Sequence, residues 1–136
     1  MGKNFKLDIL ASDKYFFSGE CDELIFPSID GSMGVLAGHE PMITCLSEGE
    51  LKYRCDGEWK SAIVSDGFLE IMPTFVKVFA DTAERPEEID LIRAQAAKAR
   101  AEERLRQKLS SKQYAHTQAA LRRAMVRIKA AGAPKL

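Results

Sequence analysis

The residue types that run hydrolytic, redox or metal chemistry are sparse and scattered in this chain. Only His39 and His116 are histidines. Neither stands in a His/Cys/Asp/Glu cluster with ligand spacing, and no Walker-type glycine loop occurs. His39 precedes Glu40, but neighbours on an extended chain point apart and frame no nucleophile, so His39 reads as a turn or interface residue rather than a general base. Arginine is the better-organised chemistry. Asp90 and Arg93 are three apart, Arg100 lies two turns beyond Arg93, and Arg123 and Arg127 are four apart, which on helices makes each set co-facial. Two such helices side by side would gather four guanidinium groups around an anion, with forked donors suited to phosphate oxygens. The plain alternative is a solvated charged face with i,i+4 pairs.

These residues sit behind a break in composition near residue 84. Up to Glu84 there are 7 Lys/Arg against 15 Asp/Glu; from Arg85 onward there are 13 against 5, so a net charge of zero is a cancellation of two opposite halves. Ten of the eleven aromatic residues and eight of the nine glycines precede the break, and nothing between Pro86 and Gly132 is Gly or Pro. Residues 1–84 therefore read as packed strands and residues 85–136 as helices.

Phe5-Lys6-Leu7-Asp8-Ile9 and Leu51-Lys52-Tyr53-Arg54-Cys55 alternate apolar with polar, the period that puts one strand face on a core and the other in water. Asp56-Gly57 between Cys55 and Glu58 is a short hairpin signal, because glycine tolerates positive φ, and it pins register near Trp59. Ser18-Gly19, Asp30-Gly31, Glu48-Gly49 and Asp66-Gly67 are further turn signals bounding runs such as Leu24-Ile25-Phe26 and Val76-Lys77-Val78-Phe79. Short strands at this spacing predict a sandwich or flattened barrel.

Pro86 with Glu87, Glu88 and Asp90 has the chemistry of a helix start, and a helix from there to about Lys108 would span roughly 33 Å. Ser110 with Gln113 predicts a capping box for a second helix running to about Ala131. Ala94, Ala97, Ala101 and Leu105 form one stripe on the first helix, with Ile89, Ile92, Ala96 and Ala99 beside it. The second helix offers Leu121, Ala124, Met125 and Ile128. An alanine-lined seam packs closely but gains little, about 0.8 kcal/mol per buried CH₂, so this hairpin is expected to open easily, or in the plain reading to stay a static pair.

The segment from Gly31 to Pro41 is glycine-rich with no following helix, so it cannot hold phosphate on a helix N-terminus and reads as a tight exposed loop. Met33, Val35 and Leu36 at its tip suit docking to another protein, or ordinary turn packing. Overall neutrality without an aromatic-interleaved basic patch argues against nucleic-acid binding. No apolar run is long enough to insert in a bilayer, and the polar N-terminus lacks a signal core. Cys21, Cys45 and Cys55, odd in number and without a CxxC pair, predict reduced thiols in a soluble intracellular protein or subunit.

Four stretches in order, Gly34-Val35-Leu36-Ala37-Gly38-His39-Glu40-Pro41, Gly49-Glu50-Leu51, Asp66-Gly67-Phe68-Leu69-Glu70-Ile71 and Ala80-Asp81-Thr82-Ala83-Glu84-Arg85, resemble the epsilon subunits of rotary F-type ATP synthases. The resemblance implies a ten-stranded antiparallel β-sandwich followed by a two-helix hairpin. It implies a non-catalytic central-stalk subunit, peripheral on the cytoplasmic face of the cell membrane, working in proton-driven ATP synthesis. Its sandwich would dock on the gamma subunit and the c-ring, with Asp30, Gly31, Ser32, Met33, Val35, Leu36 and His39 in the docking segment. Its hairpin would permit ATP hydrolysis when folded and inhibit it when extended toward the alpha/beta hexamer, where Arg104, Arg106 and Arg122, together with Arg123 and Arg127, would meet the beta subunit.

Some bacterial members of that family bind ATP on the folded hairpin, and Ile89-Asp90-Leu91-Ile92-Arg93-Ala94 with Arg123-Ala124-Met125-Val126-Arg127 resemble their motif. By that likeness Glu84, Asp90, Arg93, Arg100, Arg123 and Arg127 are the nucleotide candidates, ATP is a regulatory ligand, and no cofactor is obligatory. The alternative function is a free-standing ATP-sensing sandwich with a helical lid and no membrane complex as partner.

Overall fold

The structure, a computed structural model, describes residues 3–132. The chain divides into two compact units between Arg85 and Pro86.

Ten strands make the first unit: β1 (Phe5–Ala11), β2 (Lys14–Cys21), β3 (Glu23–Ser28), β4 (Gly31–Leu36), β5 (Met42–Leu46), β6 (Gly49–Cys55), β7 (Glu58–Val64), β8 (Gly67–Ile71), β9 (Phe75–Ala80) and β10 (Ala83–Glu84). They form two five-stranded sheets, ordered β2-β1-β9-β8-β5 and β10-β7-β6-β3-β4. Alternation sets the inner faces: Phe5, Leu7 and Ile9 from β1 and Leu69 and Ile71 from β8 are buried in one core with Leu24, Phe26 and Leu51 of the other sheet. Each such side chain, fully removed from water, contributes about 1.5–3 kcal/mol before entropy is charged against it. The expected sandwich is present, with one pairing that is not antiparallel: β1 runs parallel to β9, Leu7 opposite Val76. A parallel neighbour needs a long crossover, here the whole stretch from β2 to β8, so local pattern gives no sign of it.

The β6–β7 hairpin follows the sequence closely. Asp56 and Gly57 both have positive φ, 53° and 76°, the pair required by a two-residue type I′ turn, and Arg54 pairs with Trp59. Ser18-Gly19, expected as a turn, lies instead inside β2, where Ser18 Oγ donates to Asp8 Oδ1 across the ladder at 2.6 Å. Gly19 serves packing there: a Cβ would stand 2.9 Å from the Phe17 ring, which itself packs on Tyr53 at 4.6 Å between centroids.

The cysteine expectation fails as well. Cys21, ending β2, and Cys55, ending β6, are joined as a disulfide between the two sheets, and only Cys45 is free. Thirty-four residues separate the partners, and only the strand order brings them together.

The second unit begins with a 3-10 turn, Pro86–Glu88, followed by α1 (Leu91–Leu105) and α2 (Ser111–Gly132). Pro86 thus starts a preliminary turn rather than the helix, because Asp90 takes the N-cap and its Oδ1 accepts the Arg93 N–H at 3.2 Å. The capping box before α2 is complete: Ser110 N–H donates to Gln113 Oε1 at 3.1 Å and Gln113 N–H to Ser110 Oγ at 3.2 Å. Ala94 and Ala101 are buried on α1, Thr117 and Ala124 on α2, each pair seven residues apart, the repeat of a coiled-coil seam. The neighbouring stripe is not buried: Ile92 is 79% exposed, and Met125 of α2 is 50% exposed.

Candidate functional site

The arginine face belongs to the hairpin. Arg93 stands in the first turn of α1 beside buried Ala94, while Arg123 and Arg127 flank buried Ala124 on α2. The short link at 106–110 makes the helices antiparallel, and the 3-10 turn at Pro86–Glu88 packs against α2, so the start of α1 and the later part of α2 share the open end of the hairpin. Arg93, Arg123 and Arg127 are brought to that end. Arg100 lies about 10 Å further along α1 by helical rise, nearer the link. Arg93 and Arg100 are exposed, Arg123 and Arg127 half-buried.

On the hairpin Arg106 Nη1 pairs with Glu103 Oε2 at 2.6 Å, away from the end that carries Arg93 and Arg123. Forked guanidinium donors gathered near one end are suited to an oxyanion. Asp90 is already engaged, since its carboxylate caps α1, and any ligand contact it made would be additional to that role. Glu84 belongs to the other unit, in β10, paired with Ile63. Arg104, Arg106 and Arg122 are all exposed.

The docking segment is not the single loop expected. Gly31–Leu36 is β4, the edge of its sheet, and six strand residues separate its two ends by roughly 20 Å. Asp30, Gly31 and Ser32 stand at one end, fastened by Ser28 Oγ, which donates to the Gly31 carbonyl at 2.7 Å. Gly31 there has φ 112°. Leu36, 59% exposed, and His39 stand at the other, where Gly38 N–H donates to the Pro73 carbonyl at 2.8 Å and His39 Nδ1 lies 2.8 Å from the Glu40 carbonyl oxygen. Val35 is buried and Met33 packs against the core, because strand alternation turns both inward; Val35 offers nothing to a partner.

Sequence reasoning missed Ile29, 89% exposed at the Asp30 tip, since a lone isoleucine in a turn belongs to no periodic pattern. It also missed an apolar area on the outer face of the β8–β9 pair, where Phe68 stacks on Phe79 at 4.7 Å near exposed Ile43. By residue type the Asp66-Gly67 pair signals a turn and gives no sign of this apolar area.

A β-sandwich with exposed apolar ends, joined to a capped helical hairpin bearing an arginine face, defines the class of protein. The chain belongs to the ATP synthase delta/epsilon chain family: residues 4–86 match its beta-sandwich domain and residues 87–132 its long alpha-helix domain. It is 52% identical over 126 residues to the ATP synthase epsilon chain of Ruminiclostridium cellulolyticum, covering 93% of this chain and 94% of that one. It is 44% identical over 132 residues to the ATP synthase epsilon chain of Caldanaerobacter subterraneus subsp. tengcongensis, covering 96% of each. In fold it is similar to a chain in the Euglena gracilis mitochondrial ATP synthase OSCP/F1/c-ring structure, with TM-score 0.76 and 24% identity over 87% of this chain and 75% of that one. A chain of the Tetrahymena thermophila mitochondrial ATP synthase central stalk and c-ring superposes with TM-score 0.67 and 13% identity over 96% of this chain and 98% of that one.

Proposed function

We propose that this chain is a non-catalytic epsilon subunit of an F-type ATP synthase, a rotor part that fastens gamma to the c-ring and brakes ATP hydrolysis through its hairpin. The observation that carries the reading is the pair of adjoining family matches, one per structural unit, supported by relatives alike over more than nine-tenths of their length. The sandwich works by docking. Its two β4 ends are too far apart for one contact, so the Ile29–Ser32 end meets the c-ring and the Leu36–His39 end meets gamma. In this reading the protein sits peripherally at the cytoplasmic face of the membrane, and the motor it joins couples proton flow to ATP synthesis.

The hairpin is the regulator. Its seam is alanine and threonine, so its folded and extended states lie close in free energy, and a ligand that binds one state shifts the population by its differential affinity. ATP is that ligand, held by Arg93, Arg123 and Arg127 with Arg100 and Asp90 as further contacts. At 100 times its dissociation constant it adds about 2.7 kcal/mol to the folded form. When ATP is scarce the hairpin extends along gamma, and Arg104, Arg106 and Arg122, with Arg123 and Arg127 released, meet acidic surface on the beta subunit of the alpha/beta hexamer.

Calorimetric titration of the chain with ATP tests the regulatory half. Saturable binding that raises the melting temperature of the helices is expected, and Arg123→Ala with Arg127→Ala together should abolish both. Undiminished ATP binding by that double variant would refute the assigned contacts.

A further inference from the structure

The corner where the chain leaves one sheet for the other is fastened twice, and the two fastenings are chemically independent. β2 ends at Cys21, the chain crosses at Asp22, and β3 begins at Glu23 in the opposite sheet. β6 lies beside β3 and ends at Cys55. Cys21 and Cys55 are bonded, 1% and 8% exposed. One residue before Cys55, Arg54 donates from Nε to Asp22 Oδ1 at 2.9 Å, and its Nη2 lies 3.4 Å from Glu23 Oε1. The Arg54 carbonyl accepts the Asp22 N–H at 3.0 Å, and its guanidinium covers the Trp59 ring at 5.3 Å. The hydrogen bond to Asp22 raises the Arg54 pKa above its already high ordinary value, against partial desolvation, so the ionic fastening does not switch off by losing the arginine's proton.

We propose that Cys21–Cys55 is a redox-operated clasp: oxidised, it locks the crossover between the sheets covalently; reduced, it leaves the corner to the Arg54 ionic clasp alone. Closing it takes a disulfide oxidant, either a small-molecule disulfide or the disulfide form of a redox protein. A cysteine thiolate attacks the oxidant, a mixed disulfide forms, and the second cysteine thiolate displaces the oxidant's other sulfur. Two electrons and two protons leave the pair, and one oxidant disulfide becomes two thiols. Opening reverses these steps. Cys55 is the sulfur first reached by a reductant, because it is the less buried and adjoins the two-residue Asp56-Gly57 turn, whose local opening would uncover it.

The test uses the full chain with Cys45→Ser, which removes the exposed thiol and prevents exchange. After equilibration with excess oxidised glutathione and removal of the reagent, thiols are counted in denaturant. None should titrate, and a linked peptide pair containing Cys21 and Cys55 should appear; two free thiols would overturn the proposal. Reduction should lower the melting temperature of the sandwich by roughly 10 °C or more, as expected for a bridge spanning a loop of this size. Hydrogen exchange then separates a local clasp from general stabilisation. In Arg54→Gln the Asp22 amide should stay protected while oxidised and exchange at least about tenfold faster once reduced. Equal exchange in the two redox forms would sink the clasp. Because none of these readings involves ATP or the motor, their failure leaves the subunit assignment untouched.

Discussion

At Gly67, the first residue of β8, no side chain fits. An added Cβ would run into the carbonyl oxygen of Phe79 and stand 3.0 Å from the Ala80 Cα, both backbone atoms of the paired strand. Neither can yield without breaking the β8–β9 ladder, so Gly67→Ala should destabilise the sandwich by about 1–3 kcal/mol, read as a lower midpoint in urea unfolding. An unchanged midpoint would mean that the strands separate there at no cost. The sequence marks Gly67 as a turn residue beside Asp66, but the obstacle is a carbonyl on a strand twelve residues on, visible only once the pairing is known. Val35 and Cys55 teach the same lesson. Their chemistry is plain from residue type, yet whether the one faces a partner or the other a second cysteine is decided by a neighbour remote in sequence.

Among the elements, those defined by local rules were legible and those defined by partners were not. The Asp56-Gly57 turn, the alternation of β1 and β6, and the Ser110/Gln113 box depend on a few adjacent residues, and each formed as read. The β4 sequence predicts a loop because three of its residues are Gly, Ser and Gly, whose low strand propensity is overridden by six-residue pairing with β3. The alanine stripe through Ala94 and Ala101 was legible, but the Ile92 side of α1 was not bounded correctly, since period alone does not say how wide a face its partner covers. With so slight a seam, α2 depends on its cap. Ser110→Ala should cost about 1 kcal/mol of hairpin stability, seen as earlier loss of the helical circular-dichroism signal while the sandwich transition stays in place. Simultaneous weakening of both transitions would show that the hairpin does not melt as a unit of its own.

For the whole molecule, composition separates an acidic, aromatic, turn-rich front that folds on its own core from a basic back whose fully buried side chains, among the described residues, are small. The order of strands within the sheets, including the parallel β1–β9 pair, could not be read, because long-range pairing leaves no local trace. The arginine face could be read as co-facial spacing, and the hairpin topology adds which three of its members share an end. The central claim is that the front couples while the back brakes. Its most direct test is ATP hydrolysis by the assembled ATP synthase carrying this chain ended after Arg85, compared with the full-length chain at low ATP. The truncated complex should hydrolyse ATP severalfold faster while still assembling and synthesising ATP; hydrolysis equal to that of the intact complex would contradict the account.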